Sequence, residues 1–81
     1  SPDTLHLHLR RALASRIVVE QAKGFLRERL AISVDEAFTL LRRYAHTHHG
    51  HMTVVARRLL TEPDTRPAIL AAMRQLTTVP Q

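Results

Sequence analysis

Arginine carries nearly all of the positive charge of this chain, and its guanidinium group suits particular partners. Among the 12 basic residues only Lys23 is a lysine, and the formal net charge is +5. A guanidinium group offers a planar fork of N–H donors that matches phosphate oxygens and base edges better than an ammonium does. The composition therefore favours an anionic partner, and the alternative is an ordinary solvated surface.

Part of this charge is aligned along the first predicted helix. At about 100° per residue, four charged residues fall within a sector of roughly 60°: Arg16, Glu20, Lys23 and Arg27. We call Arg16, Lys23 and Arg27 the basic ridge. Gly24 lies beside it, although glycine in mid-helix costs about 1 kcal/mol relative to alanine. A ligand that approaches the backbone closely would offset that cost, and close packing of another helix is the alternative.

Metal binding and catalysis have less support. Imidazole is a common metal ligand, and four histidines lie close together: His46, His48, His49 and His51. No carboxylate lies near them in sequence, so we interpret the cluster as a polar turn without a metal or cofactor, and its role stays open. The chain has no cysteine, and no nucleophile pairs recognisably with a base, so we expect no enzyme activity.

The spacing of apolar residues predicts helices throughout the chain. An 81-residue chain with 44% hydrophobic residues forms one modest core. The period predicts an all-α fold, a three-helix bundle with a long first helix and a short C-terminal helix. The predicted helices cover about 4–30, 34–47, 52–62 and 67–76. We assign 1–62 to a three-helix domain and 63–81 to a C-terminal extension.

Local motifs place the helix ends. Ser33 and Glu36 match the capping box, in which each side chain accepts a hydrogen bond from a free backbone amide at the helix start. Pro63 should stop the third helix. Four apolar sets should face the core: Val18, Ala22, Phe25 and Leu26; Ala37, Leu40, Leu41, Tyr44 and Ala45; Met52, Val55, Ala56, Leu59 and Leu60; Ile69, Ala72, Met73 and Leu76.

The first helix carries a second apolar stripe on another side. This leucine seam consists of Leu5, Leu9, Ala12 and Leu13, and its centre lies well over 90° around the helix from the set that begins at Val18. We expect the seam to meet a second copy in a weak homodimer, or an upstream domain, because exposed leucines gain from burial. The alternative is that the C-terminal helix folds back over the seam.

Several segments, in this order, resemble the ANTAR domain, a three-helix module that follows receiver or ligand-sensing domains in bacterial antitermination regulators. The resemblance covers about residues 9–61 and rests on Ala14-Ser15-Arg16, Glu20-Gln21-Ala22-Lys23-Gly24-Phe25-Leu26, Asp35-Glu36-Ala37-Phe38, Leu41-Arg42-Arg43-Tyr44-Ala45 and Val55-Ala56. Two residues depart from the family. Arg27 stands where Met is usual, and His49 stands where Asn is frequent.

The resemblance implies a function in transcription. Members bind short RNA stem-loops that overlap terminators and so let polymerase read through, commonly as dimers that engage paired hairpins. The RNA-binding surface implied by position consists of Arg16, Gln21, Ala22, Lys23, Gly24, Ala37, Arg42 and Ala45, and the basic ridge adds Arg27. An upstream sensor or receiver domain is also implied.

Two other functions stay open. A protein-interaction module would dock a partner through the leucine seam and the late helices. Duplex DNA binding would use the turn around His48 as in a helix-turn-helix, but the next helix offers only Thr53, Arg57 and Arg58 as base readers. No apolar run has the length of a membrane span, and the first residues do not resemble a secretory signal, so we expect a cytoplasmic protein.

Overall fold

The computed structural model describes the backbone of residues 2–78 and the side chains of residues 3–77. Four helices follow one another, α1 at Pro2–Leu30, α2 at Val34–Thr47, α3 at Met52–Thr61 and α4 at Arg66–Thr78. No strand occurs in this part of the chain, so the predicted all-α class is confirmed. Pro67 fits near the start of α4, since a first-turn amide would have no helical acceptor.

The predicted capping box starts α2. Glu36 N–H donates to Ser33 Oγ at 3.0 Å, and Ser33 N–H donates to Glu36 Oε1 at 3.2 Å. The sharp turn from α1 into this cap is made by Ala31, whose φ is 53°. Beyond it, Ile32 N–H donates to the Arg27 carbonyl at 3.3 Å. These bonds hold the short loop that joins α1 to α2, and the two helices pack against each other.

One core joins all four helices. It consists of Ala22 and Leu26 from α1, Ala37, Leu40, Leu41 and Ala45 from α2, Val55, Ala56 and Leu59 from α3, and Ile69, Leu70 and Met73 from α4. α1 packs against α2 and α3, and α4 packs against α2 and α3. The apolar sets predicted from the sequence therefore supply most of the core, and Leu70 is an addition to them.

Arg66 ties the start of α4 to two other helices. Its Nε donates to the Leu59 carbonyl at 2.6 Å, and its Nη2 donates to the Leu60 carbonyl at 3.3 Å. Both carbonyls belong to the last turn of α3, where helical partners run out. The guanidinium also lies 5.3 Å from the ring centroid of Phe25 on α1. The described part of the predicted extension is thus packed onto the bundle.

The start of α1 projects away from this bundle. Every side chain from residue 3 to 14 is exposed, and Ser15 is the first that is partly covered. Leu5, Leu9 and Leu13 are 73%, 58% and 53% exposed. Since Ile69 and Met73 of α4 are buried in the core, the structure does not support the fold-back of α4 over the leucine seam. No helix among residues 2–78 has both the length and the apolarity needed to cross a bilayer.

Candidate nucleic-acid interface

Lys23 lies where α1 meets α2 and is held there by two neighbours. Its Nζ is 3.1 Å from Glu20 Oε2, one turn earlier on α1. The same Nζ lies 5.6 Å from the ring centroid of Phe38 on α2. The Lys23 side chain is only 16% exposed. An ammonium has three N–H donors, so Lys23 keeps donors for a phosphate after it pairs with Glu20.

The other two members of the basic ridge are exposed and unpaired. Arg16 lies about 10 Å before Lys23 along α1, and Arg27 lies about 6 Å after it. Within residues 3–77 no ion pair engages Arg16, Arg27 or Arg42. Packing explains the position of none of these guanidinium groups, so they remain available to an anionic ligand.

α2 contributes a row of side chains beside this ridge. Successive i+4 positions share one side of a helix, and here they hold Val34, Phe38, Arg42 and His46. All four are exposed. Arg42 and His46 also line a shallow groove with Arg43 and Thr47 near the end of α2. The contact of Lys23 with Phe38 joins this row to the basic ridge, and we call the combined area the α1–α2 surface.

Three predicted RNA-binding residues lie elsewhere. Ala22 and Ala37 have no exposed surface, and Ala45 is 3% exposed. Their small side chains belong to the hydrophobic core, where they let helices approach closely. A direct contact of these side chains with a ligand would require the bundle to open, so we assign them a packing role.

Gln21 and Gly24 are exposed but do not face the same way as Lys23. Gln21 is two residues from Lys23 and therefore about 160° away around α1. At Gly24, no neighbouring heavy atom lies within 4 Å of the position that a Cβ would take. Among residues 3–77 no other helix packs closely against Gly24, so the alternative in which this glycine permits close packing within the bundle is wrong.

The histidine cluster is organised by the end of α2. The His48 ring stacks on Tyr44 with centroids 4.0 Å apart. Its Nδ1 donates to the Tyr44 carbonyl at 2.9 Å. Among the described residues, no three His, Cys, Asp or Glu side chains come together in a way that could hold a metal ion. The role of the other three histidines stays a prediction, because the Tyr44 contacts involve only His48.

Phe38 is one member of the α1–α2 surface that the sequence patterns do not predict as a site residue. In the sequence it stands within the motif Asp35-Glu36-Ala37-Phe38. Two signs were present in the sequence, since Phe38 is absent from the apolar set of α2 and lies one turn before Arg42. A single exposed apolar residue is ordinary on a protein surface, so it is the neighbouring Arg42 that makes Phe38 a candidate for the site.

Comparison with known proteins identifies the family. The family model of the ANTAR domain matches residues 7–60, two thirds of the 81 residues. The chain belongs to the ANTAR domain family. No curated protein and no solved structure gives a significant match. ANTAR domains are RNA-binding output domains of antitermination regulators and form a regulatory, not an enzymatic, family.

The two departures from the ANTAR pattern both have a place in the structure. Arg27 is exposed and extends the basic ridge by one turn beyond Lys23. His49 has a φ of 53°, a left-handed conformation in which Asn, Asp and His are enriched among residues other than glycine. Gly50 N–H then donates to the Ala45 carbonyl at 2.8 Å. His49 thus supplies the left-handed residue of the turn before α3.

Proposed function

We propose that this ANTAR domain binds short stem-loops in nascent RNA through the α1–α2 surface and thereby prevents terminators from forming. Arg16, Lys23, Arg27 and Arg42 carry the binding. The observation behind this proposal is that four cations lie on the neighbouring sides of α1 and α2. Three of them are guanidinium groups without an ion pair among the described residues, and the fourth is the ammonium of Lys23, which Glu20 holds in place. Such a surface matches the phosphates of a loop, which are closely spaced and accessible.

Single-stranded loops fit this surface better than a duplex does. A hairpin loop exposes base faces and phosphates together, and the α1–α2 surface combines Phe38 with cations. Duplex DNA reading by α3 would depend on Arg57 and Arg58, which lie outside this surface. The open space beside Gly24 lets RNA approach the backbone of α1, which agrees with the role that family position gives to this glycine. Gln21 stays a prediction, since a loop would have to reach round α1 to touch it.

We further propose that the domain acts as a homodimer through the leucine seam. Leu5, Leu9, Ala12 and Leu13 are exposed, and Ile17, at 56% exposure, continues the patch toward the bundle. By helical spacing, the seam lies on the same side of α1 as the basic ridge. A dimer formed there brings two RNA-binding surfaces near one another, as binding to paired hairpins requires. We expect an upstream sensor or receiver domain to strengthen this dimer. We also expect the full regulator to be cytoplasmic.

A salt titration with matched variants tests the RNA proposal. The probe is the tightest hairpin selected by the parent chain from a pool with random loops. Lys23→Ala and Arg42→Ala should each weaken binding and lower the slope of log K against log salt by up to about one. Arg57→Ala on α3 is the control and should leave the slope unchanged. Circular dichroism checks that each variant keeps its helix content.

Two results would contradict the proposal. Parent-like binding by both Lys23→Ala and Arg42→Ala would show that the surface is misplaced. Equal competition by a DNA duplex of the stem sequence would favour duplex binding instead. A protein-interaction module would select no hairpin, and its binding to a protein partner would respond weakly to salt because apolar contacts are not screened.

A further inference from the structure

Phe38 lies outside the hydrophobic core and keeps part of its ring in solvent. It is 39% exposed, whereas the neighbouring residues Ala37, Leu40 and Leu41 of α2 are buried. The other phenylalanine of the chain, Phe25, packs against the core and is covered by the guanidinium groups of Arg29 at 4.9 Å and Arg66 at 5.3 Å. Over the Phe38 ring lies a lysine instead of an arginine, with the ammonium of Lys23 5.6 Å from the ring centroid.

Two cationic residues lie near Phe38, and one of them, Lys23, also pairs with Glu20. Lys23 approaches its ring from α1, and Arg42 follows one turn later on α2. The apolar neighbour in this row is Val34, 42% exposed and one turn earlier. Two side chains make a small apolar patch for a protein interface, which usually has a larger apolar core. A ring set among cations is instead the arrangement that binds unpaired nucleotides, because cations hold phosphates while the ring stacks on a base.

We propose that Phe38 is a stacking platform for one unpaired base of the bound RNA loop. This inference rests on the proposed RNA-binding function and assigns to it a residue that contacts a base. The cation of Lys23 and the guanidinium of Arg42 hold the phosphates that flank this base. Every base has a π-face, so Phe38 adds affinity for single-stranded RNA without selecting one base by hydrogen bonding.

A comparison of Phe38→Leu with Phe38→Tyr tests the proposal on the selected hairpin. Leucine keeps apolar bulk but removes the ring, so Phe38→Leu should weaken binding by roughly 5- to 150-fold. Tyrosine keeps the ring, and Phe38→Tyr should bind within about threefold of the parent, well below a stacking loss. Val54→Ala, which alters a similarly exposed apolar residue on α3 (40%), is the control and should bind like the parent.

The salt dependence separates stacking from the positioning of Lys23. Loss of a stacked base removes no phosphate contact, so the salt slope of Phe38→Leu should equal that of the parent. A second readout uses 2-aminopurine placed in turn at each loop position. One position should lose fluorescence when the parent binds, because stacking quenches the probe, and should keep it with Phe38→Leu.

Three results would overturn the stacking role. If Phe38→Leu binds the hairpin as tightly as the parent does, the ring does not stack on the RNA, and contact with a protein partner becomes the better explanation of its exposure. A fall in both affinity and salt slope would make Phe38 a positioning residue for Lys23. Quenching that persists in Phe38→Leu would place the stacked base elsewhere. If the parent itself selects no hairpin, the RNA-binding function fails together with this inference, and that outcome is visible before any variant is made.

Discussion

The two halves of α1 have similar apolar content but opposite surroundings. From Ser15 onward the helix packs against α2 and α3, and Ala22 and Leu26 have no exposed surface. Residues 3–14, which extend about 18 Å, touch none of the other helices closely enough to cover a single side chain. One continuous helix thus has one half that packs within the bundle and one half whose side chains stay exposed among residues 3–77.

The difference matters because short helices are weak by themselves. An isolated helix of about 12 residues is marginal in water, since most helical stability in proteins comes from packing. The first half of α1 therefore depends on the second half as a template, and burial of its leucines by the proposed partner would stabilise it further. The basic ridge starts at Arg16, where the exposed half ends, so a partner on the leucine seam would lie next to the proposed RNA surface.

The largest expected effect comes from truncating one leucine in each half. Leu26→Ala should lower the free energy of unfolding by about 2–5 kcal/mol, because it leaves a cavity in the core. Leu9→Ala should change it by less than about 0.5 kcal/mol in dilute protein, because Leu9 is already exposed. Urea unfolding followed by circular dichroism measures both. Equal losses would mean that the first half packs on the bundle.

A charge in the leucine seam should abolish self-association. The parent should form a weak, concentration-dependent dimer in sedimentation, since burial of each leucine contributes roughly 1.5 to 3 kcal/mol. Leu9→Glu should be monomeric with an unchanged melting temperature in dilute protein. Leu7→Glu is the control, because Leu7 is two residues away and so lies about 160° around α1. It should dimerise like the parent.

One pattern of results would refute the dimer. If the parent stays monomeric at high concentration and Leu9→Glu lowers its melting temperature, the seam is covered within one chain. Loss of dimer in both Leu7→Glu and Leu9→Glu would instead mean that charge anywhere on this segment prevents association, and the seam would not be its specific site.

Most of the helical framework could be predicted because its causes are local. The capping box of Ser33 and Glu36 depends on residues three apart, and Pro63 stops α3 by its own chemistry. The role of Arg66 could not be predicted. Its hydrogen bonds to the carbonyls of Leu59 and Leu60 depend on how the chain folds back after Pro63. When an arginine side chain caps a different helix, the spacing of residues in the sequence does not reveal it.

The candidate site could be predicted only in part. The basic ridge followed from spacing on one helix, whereas the contact of Lys23 with Phe38 depends on the register of α1 against α2. The alanines show a second reason why the site residues could not all be predicted. Ala22 and Ala37 fill tight places in the core, and a small residue that permits packing looks the same in sequence as one that admits a ligand.

The smallest expected effect is at Gly24, in the packed half of α1 but on its open side. Because a Cβ would meet no neighbour within 4 Å, Gly24→Ala should raise the free energy of unfolding by up to about 1 kcal/mol through helix propensity alone. The opposite exchange in the exposed half, Ala14→Gly, should cost less than that amount, since this segment can fray without unfolding the core. Thermal unfolding of both variants measures the difference between the halves.

The affinity of Gly24→Ala for the selected hairpin is a second measurement, and it tests the RNA proposal more directly than thermal unfolding does. If RNA approaches the backbone of α1 at this point, the added methyl group should weaken binding while the protein becomes more stable, two changes of opposite sign. A loss of stability would contradict the open space seen beside Gly24. If Gly24→Ala is more stable and binds like the parent, RNA does not contact α1 at Gly24. The binding site would then lie nearer to Phe38 and Arg42. Ala14→Gly lies outside the α1–α2 surface and should leave the affinity for a single hairpin unchanged.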